Sequence, residues 1–126
     1  MKICIDAGYG GYDPGALNGR HREADYSLEI SKKTGALLEK HGFTVFYTRL
    51  TDIFVPLGAR SDRVNRSNTD LFVSIHLNSS PSKKAKGAET LIYGRGGEAE
   101  KDEYAGCACG GSLYLQRRGM LSACDR

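Results

Sequence analysis

The chain has 126 residues, of which 40% are hydrophobic and 26% charged, and its formal net charge is +3. These values are typical of one folded domain and exclude a chain that is disordered throughout. The small charge argues against a nucleic-acid-binding protein, because the basic residues are interspersed with acidic ones. No stretch approaches the roughly 18 apolar residues of a membrane span, and no signal-peptide pattern opens the chain. We therefore expect a protein that is cytoplasmic as synthesised and has no membrane contact.

The first stretch, residues 2–16, passes from a short apolar strand directly into a glycine-rich turn. The strand is predicted over Lys2–Asp6, and Cys4 is expected to be a core residue. The glycines of the turn are Gly8, Gly10, Gly11 and Gly15. Glycine adopts backbone conformations that side chains forbid, so such a turn lets backbone groups approach a ligand closely. The alternative is a connection that only reverses the chain.

A first helix is predicted after the polar loop of residues 17–23. It begins near Asp25, a suitable N-cap residue, and stops at Gly42. Helical spacing predicts an inward face made of Tyr26, Ile30, Leu37 and Leu38. His41 is expected to be a capping or surface residue.

A second helix is predicted over Pro56–Ser67, because proline suits the first turn of a helix. Leu57 and Val64 lie one heptad apart, which is the spacing of an inward face. The charged residues of this helix are expected to be largely solvated: Arg60, Asp62, Arg63 and Arg66.

Three further strands are predicted from apolar, aromatic and β-branched runs at Phe43–Thr48, Leu71–Ile75 and Gly87–Tyr93. The alternation of strands with helices predicts an α/β domain of three layers, in which helices flank a mostly parallel sheet. In such sheets, ligands bind at the carboxyl ends of the strands. The glycine turn and His76 each follow a strand, so we expect them to meet at one edge of the sheet.

The chain changes character after Gly94. Residues 98–103 are compatible with the start of a helix, whereas residues 104–126 have no sustained period and no predicted element. The last three cysteines, Cys107, Cys109 and Cys124, fit neither a disulfide framework nor the usual spacing of a structural zinc site. We divide the chain into a domain region, 1–101, and an atypical tail, 102–126.

Six separated segments resemble the zinc-dependent N-acetylmuramoyl-L-alanine amidases, a family of enzymes that cut peptidoglycan. They follow the order and spacing of that family over most of residues 2–94. The segments are IDAGYGGYDPGA at 5–16, READYSLEI at 22–30, FTVFYTR at 43–49, LGARSDRVN at 57–65, DLFVSIHLNS at 70–79 and GAETLIYG at 87–94.

The resemblance implies a zinc site. Two of the family's ligands, a glutamate before the first helix and a histidine at a strand end, correspond to Glu23 and His76. The third, a histidine in the glycine turn, corresponds to Tyr9. A phenol keeps its proton up to about pH 10 in water and is longer than an imidazole, so we expect zinc to be held weakly. His21 is either a substitute ligand or a solvated loop residue.

The family also uses a glutamate on a late strand as general base. No segment after Tyr93 resembles that strand, and the acidic residues there, Glu98, Glu100 and Glu103, are expected to be solvated. We therefore assign no catalytic residue. A truncation or frameshift near Lys101–Glu103 is our hypothesis, which the coding DNA tests, and loss of a late helix and strand predicts lower stability.

The expected function is hydrolysis of the amide bond between N-acetylmuramic acid and L-alanine in peptidoglycan, impaired in this chain. A phage lysin or a bacterial wall-remodelling enzyme, once released to the wall, would act in this way. The alternative is a non-catalytic remnant that binds peptidoglycan through Asn78 and Ser79, with the loop lysines Lys83, Lys84 and Lys86. Phosphate binding by the glycine turn is disfavoured, because no Gly-Lys-Ser/Thr follows it.

Overall fold

The computed structural model describes residues 1–80, 87–93, 99–102 and 111–117. The elements in these ranges are β1 (Lys2–Ala7), β2 (Leu17–Asn18), β3 (His21–Arg22), α1 (Glu23–Lys40), β4 (Thr44–Tyr47), α2 (Leu57–Ser67), β5 (Leu71–His76), β6 (Ala88–Tyr93), β7 (Ala99–Asp102) and β8 (Gly111–Arg117). The strands and helices predicted between residues 2 and 93 are confirmed, with small differences at their ends. Neither of the described helices is long and apolar enough to cross a membrane.

The main sheet has six strands in the order β4-β1-β5-β8-β6-β7, and β2 and β3 form a separate small ladder. β1 pairs in parallel with β4 and β5, as expected for strands joined by helical crossovers. β8 runs antiparallel to β5 and parallel to β6, while β7 pairs antiparallel with β6. The predicted class, α/β with a mostly parallel sheet, is therefore confirmed.

The carboxyl ends of β1 and β5 meet at one edge of the sheet. The two strands are in register from Ile3 opposite Leu71 to Ala7 opposite Ile75. Just beyond β1, the backbone N–H of Gly8 donates to the carbonyl oxygen of Ile75 at 3.0 Å. The predicted meeting of the glycine turn with the end of the β5 strand is confirmed.

The two faces of the sheet differ in chemistry. Because alternate strand residues point to opposite faces, one face of β1 and β5 carries the apolar core. The buried members of this core are Ile3, Ile5, Val73 and Ile75, and Leu38 of α1 packs against them. The opposite face carries Cys4, Asp6 and Ser74, which are also buried. Burial, together with the nearby charge of Asp6, raises the pKa of the Cys4 thiol to about 12.

The buried face of α1 differs from the predicted one. Tyr26, Ile30 and Leu37 are exposed, and the helix instead buries small residues: Ala24, Ser27, Ser31 and Gly35. Small side chains let the helix approach the sheet closely, which the apolar spacing alone did not reveal. At Gly35 the approach is closest, because a Cβ atom there would lie 1.9 Å from Tyr47 Oη.

The inward face of α2 was also predicted incorrectly in part. Val64 is buried as expected, but Leu57 is 80% exposed and Arg60, expected to be solvated, is only 7% exposed. Arg60 turns toward the polar face of the sheet, where Asp6 accepts one of its N–H groups. The helix ends at Asn68, which adopts a left-handed conformation with φ of 55°.

The prediction that no element follows residue 103 was wrong, since β8 occupies Gly111–Arg117 inside the sheet. Its sequence, GSLYLQR, alternates Leu113 and Leu115 with other residues, a short strand signal that the glycine- and cysteine-rich context obscured. Ala99–Asp102, compatible with the start of a helix by sequence, is strand β7. Residues 111–117 form a strand because they pair with β5 and β6, and such tertiary contacts outweigh the weak local propensity.

We predict that Gly35→Ala destabilises the protein although alanine is the better helix former. The new methyl group forces the Tyr47 ring away from α1, which we expect to cost about 1–3 kcal/mol of the free energy of unfolding. The matched control is Gly58→Ala in α2, where a Cβ atom meets open space. That variant should gain up to about 1 kcal/mol, and denaturant titration of both measures the difference. Equal stabilisation of the two variants would contradict the close packing of α1.

Candidate metal centre

Glu23 lies at the junction of three segments at the edge of the sheet. It is the first residue of α1, two residues before the predicted N-cap Asp25, and its side chain is buried. One carboxylate oxygen, Oε2, accepts the backbone N–H of Ala16 at 3.0 Å. The other, Oε1, accepts the backbone N–H of Leu77 at 2.8 Å and lies 3.2 Å from His76 Nδ1. The carboxylate therefore joins the glycine turn, α1 and the end of β5.

Tyr9 and His76 complete the group at this edge. The two rings meet edge to face, with centroids 5.1 Å apart and planes inclined at 82°. The structure thus brings together all three residues that the sequence assigned to a metal site. Asn78 and Ser79, the residues assigned to substrate, are exposed just after His76.

Two glycines make room for these rings. A Cβ atom on Gly8 would lie 2.4 Å from the His76 ring, and one on Gly15 would lie 2.5 Å from the Tyr9 ring. Tyr9 itself has φ of 57°, a left-handed conformation that few residues other than glycine adopt. The glycine turn is therefore shaped to hold the side chains of residues 9 and 76 against its backbone.

A buried polar cluster beneath the turn was missed by the sequence analysis. Asp6 accepts hydrogen bonds from Arg60 Nη1 at 2.7 Å, from Ser74 Oγ at 2.7 Å and from Thr48 Oγ1. Arg49 is buried next to it, 3% exposed, and burial together with the charge of Arg60 lowers the pKa of Arg49. The sequence signal for this cluster was Asp6, an aspartate inside an apolar strand. A buried carboxylate requires hydrogen-bond partners, so it indicates that other polar groups lie nearby.

A second, exposed polar cluster holds the outer part of the turn. Asp52 accepts the backbone N–H of Gly11 at 2.8 Å and pairs with Arg22 at 3.1 Å. These two contacts lower the pKa of Asp52, the hydrogen bond from Gly11 having the larger effect. Tyr12, 79% exposed, stacks on Phe54 with centroids 4.2 Å apart.

Two of the three residues, Glu23 and His76, are of types that bind zinc, whereas the third, Tyr9, is not. Carboxylate and imidazole are common zinc ligands, and Glu23 and His76 are adjacent. Within the described ranges, no three side chains of the His, Cys, Asp or Glu types lie close enough to hold a metal ion. His21 is exposed and contacts Tyr26, so it is not placed as a substitute ligand.

Comparison with known families decides what kind of domain this is. The family model described as N-acetylmuramoyl-L-alanine amidase matches residues 3–114. The chain belongs to this amidase family. The matched region continues beyond the six segments on which the resemblance rested and includes part of β8.

Amidases from several sources are similar to the chain. It is 42% identical over 92 residues to the amidase AmiC of Neisseria meningitidis, a match that spans 72% of this chain and 22% of that protein. It is 39% identical over 92 residues to the endolysin of Bacillus phage SPP1, spanning 72% of this chain and 33% of that protein. The catalytic domain of the amidase CwlV from Bacillus (Paenibacillus) polymyxa superposes with a TM-score of 0.69 at 32% identity, over 75% of this chain and 54% of that domain. This amidase-family chain therefore spans only part of the length of its relatives.

The division of the chain at residue 101 and the proposed frameshift stay predictions. Glu100 lies in β7, whereas Glu98, Glu103 and the loop lysines Lys83, Lys84 and Lys86 lie outside the described residues. The sequence of β8 contains no Asp or Glu. That the chain lacks the family's general base stays a prediction.

We predict that Asp6→Asn destabilises this amidase-family chain by about 3 kcal/mol, because it leaves the buried guanidinium of Arg60 without its carboxylate partner. Urea unfolding at pH 7 measures the loss. Unchanged stability would show that backbone carbonyl oxygens alone compensate the charge of Arg60.

The control is Asp52→Asn, which removes a carboxylate that is 45% exposed. We expect a much smaller loss, because exposed pairs are screened by water and salt. The folded-state pKa of Asp52 is lowered, so its contribution is complete above the ordinary aspartate pKa of about 4. The difference from wild type should therefore be constant from pH 7 to about pH 5 and shrink as the pH falls further.

Proposed function

We propose that this chain is part of a catalytic domain that hydrolyses the amide bond between N-acetylmuramic acid and L-alanine in peptidoglycan. The observation that carries the proposal is the pairing of Glu23 with His76 beside the glycine turn. Membership of the amidase family supports it, because the relatives are named for that reaction. The site also lies at the carboxyl ends of β1 and β5, where α/β sheets bind ligands.

In the proposed site, Glu23 and His76 would hold a zinc ion. Zinc would supply a Lewis acid that polarises the amide carbonyl and lowers the pKa of water. The backbone N–H groups of Ala16 and Leu77 donate to the two oxygens of the Glu23 carboxylate and fix its orientation. Asn78 and Ser79 lie two and three residues after His76 and are exposed, so we place them against the sugar or the stem peptide of the substrate.

Tyr9 makes the proposed site a weak one. Its ring occupies the space between Gly15 and His76 that a shorter imidazole would share with a metal ion. A neutral phenol is a weaker donor to zinc than the imidazole nitrogen that it would replace, and the usual zinc ligands are Cys, His, Asp and Glu. We infer that the chain binds zinc weakly and hydrolyses peptidoglycan slowly.

We predict that Tyr9→His raises zinc affinity at least about 10-fold, because each added protein ligand strengthens a zinc site. Competition with a chromophoric chelator measures the dissociation constant. The matched control is Tyr12→His, which places a histidine on the same turn. It replaces the ring that stacks with Phe54 and not the ring beside His76. Its zinc affinity should equal that of wild type.

An assay of cell-wall hydrolysis separates the two expected defects, which are weak zinc binding and the lack of a general base. Zinc binding should recover in Tyr9→His while turnover stays low, because we expect the chain to lack the family's general base. Stoichiometric zinc and rapid wall lysis by the unmodified chain would contradict the proposed impairment.

A second candidate is a remnant that binds peptidoglycan without cutting it. The exposure of Asn78 and Ser79 close to the end of β5 favours it. Sedimentation with insoluble peptidoglycan tests this candidate, and the double variant Asn78→Ala, Ser79→Ala should be retained less than wild type. Thr44→Ala, at the exposed start of β4, is the control. Absence of retention for the wild-type chain would remove this candidate.

A further inference from the structure

Two buried guanidinium groups contact three consecutive carbonyl oxygens where β1 enters the glycine turn. Arg49 donates from Nε to Ala7 at 2.9 Å and from Nη2 to Gly8 at 2.8 Å. Arg60 donates from Nη1 to Ala7 at 2.6 Å and from Nη2 to Tyr9 at 2.8 Å. We call Arg49 and Arg60 the guanidinium pair. The pair fixes the direction of the backbone at every residue from 7 to 9.

Arg49 also ties the turn to the first turn of α1. Its Nη2 donates to the carbonyl oxygen of Ala24 at 2.8 Å and to Ser27 Oγ at 3.2 Å. The Ser27 hydroxyl lies between the same two segments, 2.8 Å from the carbonyl oxygen of Gly8 and 3.2 Å from that of Ala24. Because Ala24 directly follows Glu23, these bonds set the distance between the turn and the Glu23 backbone.

Each residue of the candidate metal centre is linked to the guanidinium pair through its own backbone, the next residue in the chain or a residue that it contacts. Arg60 binds the carbonyl oxygen of Tyr9 itself. Arg49 binds the residue that follows Glu23, and it also binds Gly8, on whose Cα the His76 ring rests. A shift of Arg60 would therefore move Tyr9 relative to the other two residues, and a shift of Arg49 would move the backbone that lies beside Glu23 and His76.

Stability alone does not account for this arrangement. Arg60 pairs with Asp6 at 2.7 Å, whereas the carboxylates of Asp52, Asp6 and Asp25 act on Arg49 through their charge alone. Burial, together with the positive charge of Arg60, lowers the pKa of Arg49. Buried charges of this kind contribute little net stability compared with apolar packing of the same volume. What the planar guanidinium offers is several N–H groups at fixed angles, which reach separate backbone segments at once.

We propose that Arg49 and Arg60 are positioning residues, which hold Tyr9, Glu23 and His76 in the mutual arrangement that a metal ion requires. The proposal rests on the proposed function, since it concerns the same site. Neither arginine touches substrate or metal in this role. They act through the backbone of residues 7–9 and of α1.

The test uses the full chain with Tyr9→His as the parent, and zinc itself as the probe. Arg49→Lys and Arg60→Lys are each added to this parent, because lysine keeps the charge but loses the fork of N–H groups. We expect each to weaken zinc binding about 10-fold or more, the usual effect of changing groups that support metal ligands. Zinc competition is measured well below the thermal midpoint of each variant, so that only folded protein is compared.

Arg63→Lys is the matched control for the guanidinium pair. Arg63 lies on the same helix as Arg60 and also donates to a backbone carbonyl, that of Thr48, but it does not contact the turn. Its zinc affinity should stay within about 2-fold of the parent, below the effect of losing one hydrogen bond. If the lysine variants do not fold, Ser27→Ala replaces them, with an expected loss of about 3- to 10-fold for its bridging hydroxyl.

Amide hydrogen exchange supplies a readout that needs no metal. Loss of a positioning residue should speed exchange in residues 8–16 and 22–27 and leave β5 unchanged, whereas a purely structural residue would speed exchange in all of them. Folded lysine variants that bind zinc as tightly as the parent would overturn the proposal. A parent that binds no zinc would contradict the proposed metal centre, and hydrogen exchange would then decide the role of the pair.

Discussion

The geometry of the candidate site depends on the carboxylate of Asp6, which is buried at the carboxyl end of β1. It accepts hydrogen bonds from Thr48, from Ser74 on β5 and from Arg60 on α2, so it joins the residues beside β1 to a helix. Its charge is the closest compensation for the guanidinium of Arg60. With that guanidinium held in place, its remaining N–H groups fix the carbonyl oxygens of the glycine turn.

The sheet separates the task of stabilising the fold from that of shaping the site. Apolar residues of β1 and β5 pack beneath α1 on one face, where burial of hydrocarbon supplies most of the driving force. Charged and hydroxyl groups occupy the opposite face and the strand ends. Small residues on α1 connect the two regions, because they let the helix lie close enough for Glu23 to reach the end of β5.

Hydrogen bonds to the backbone hold the glycine turn, and this explains how the family's turn can carry an unusual side chain. The carbonyl oxygen of Tyr9 is bound by Arg60, and the ring rests on Gly15. The hydrogen bond from Arg60 does not require a particular side chain at position 9, and the missing Cβ of Gly15 leaves room for the larger ring. The fold of the amidase family is therefore compatible with tyrosine at a position where the chemistry of a zinc site favours histidine.

The sequence by itself determined the order of elements through β6, the α/β class, and the meeting of the glycine turn with His76 at one edge. Apolar runs, glycines and strand order carry that information locally. The resemblance to the amidase family added Glu23 and pointed to Tyr9 within the turn. Tertiary structure alone decided that α1 buries its small residues, that Arg60 is buried, and that β8 enters the sheet. Those outcomes depend on how closely two elements approach and on which buried groups need a hydrogen-bond partner. Distances between residues far apart in the chain set both, and no local pattern records them.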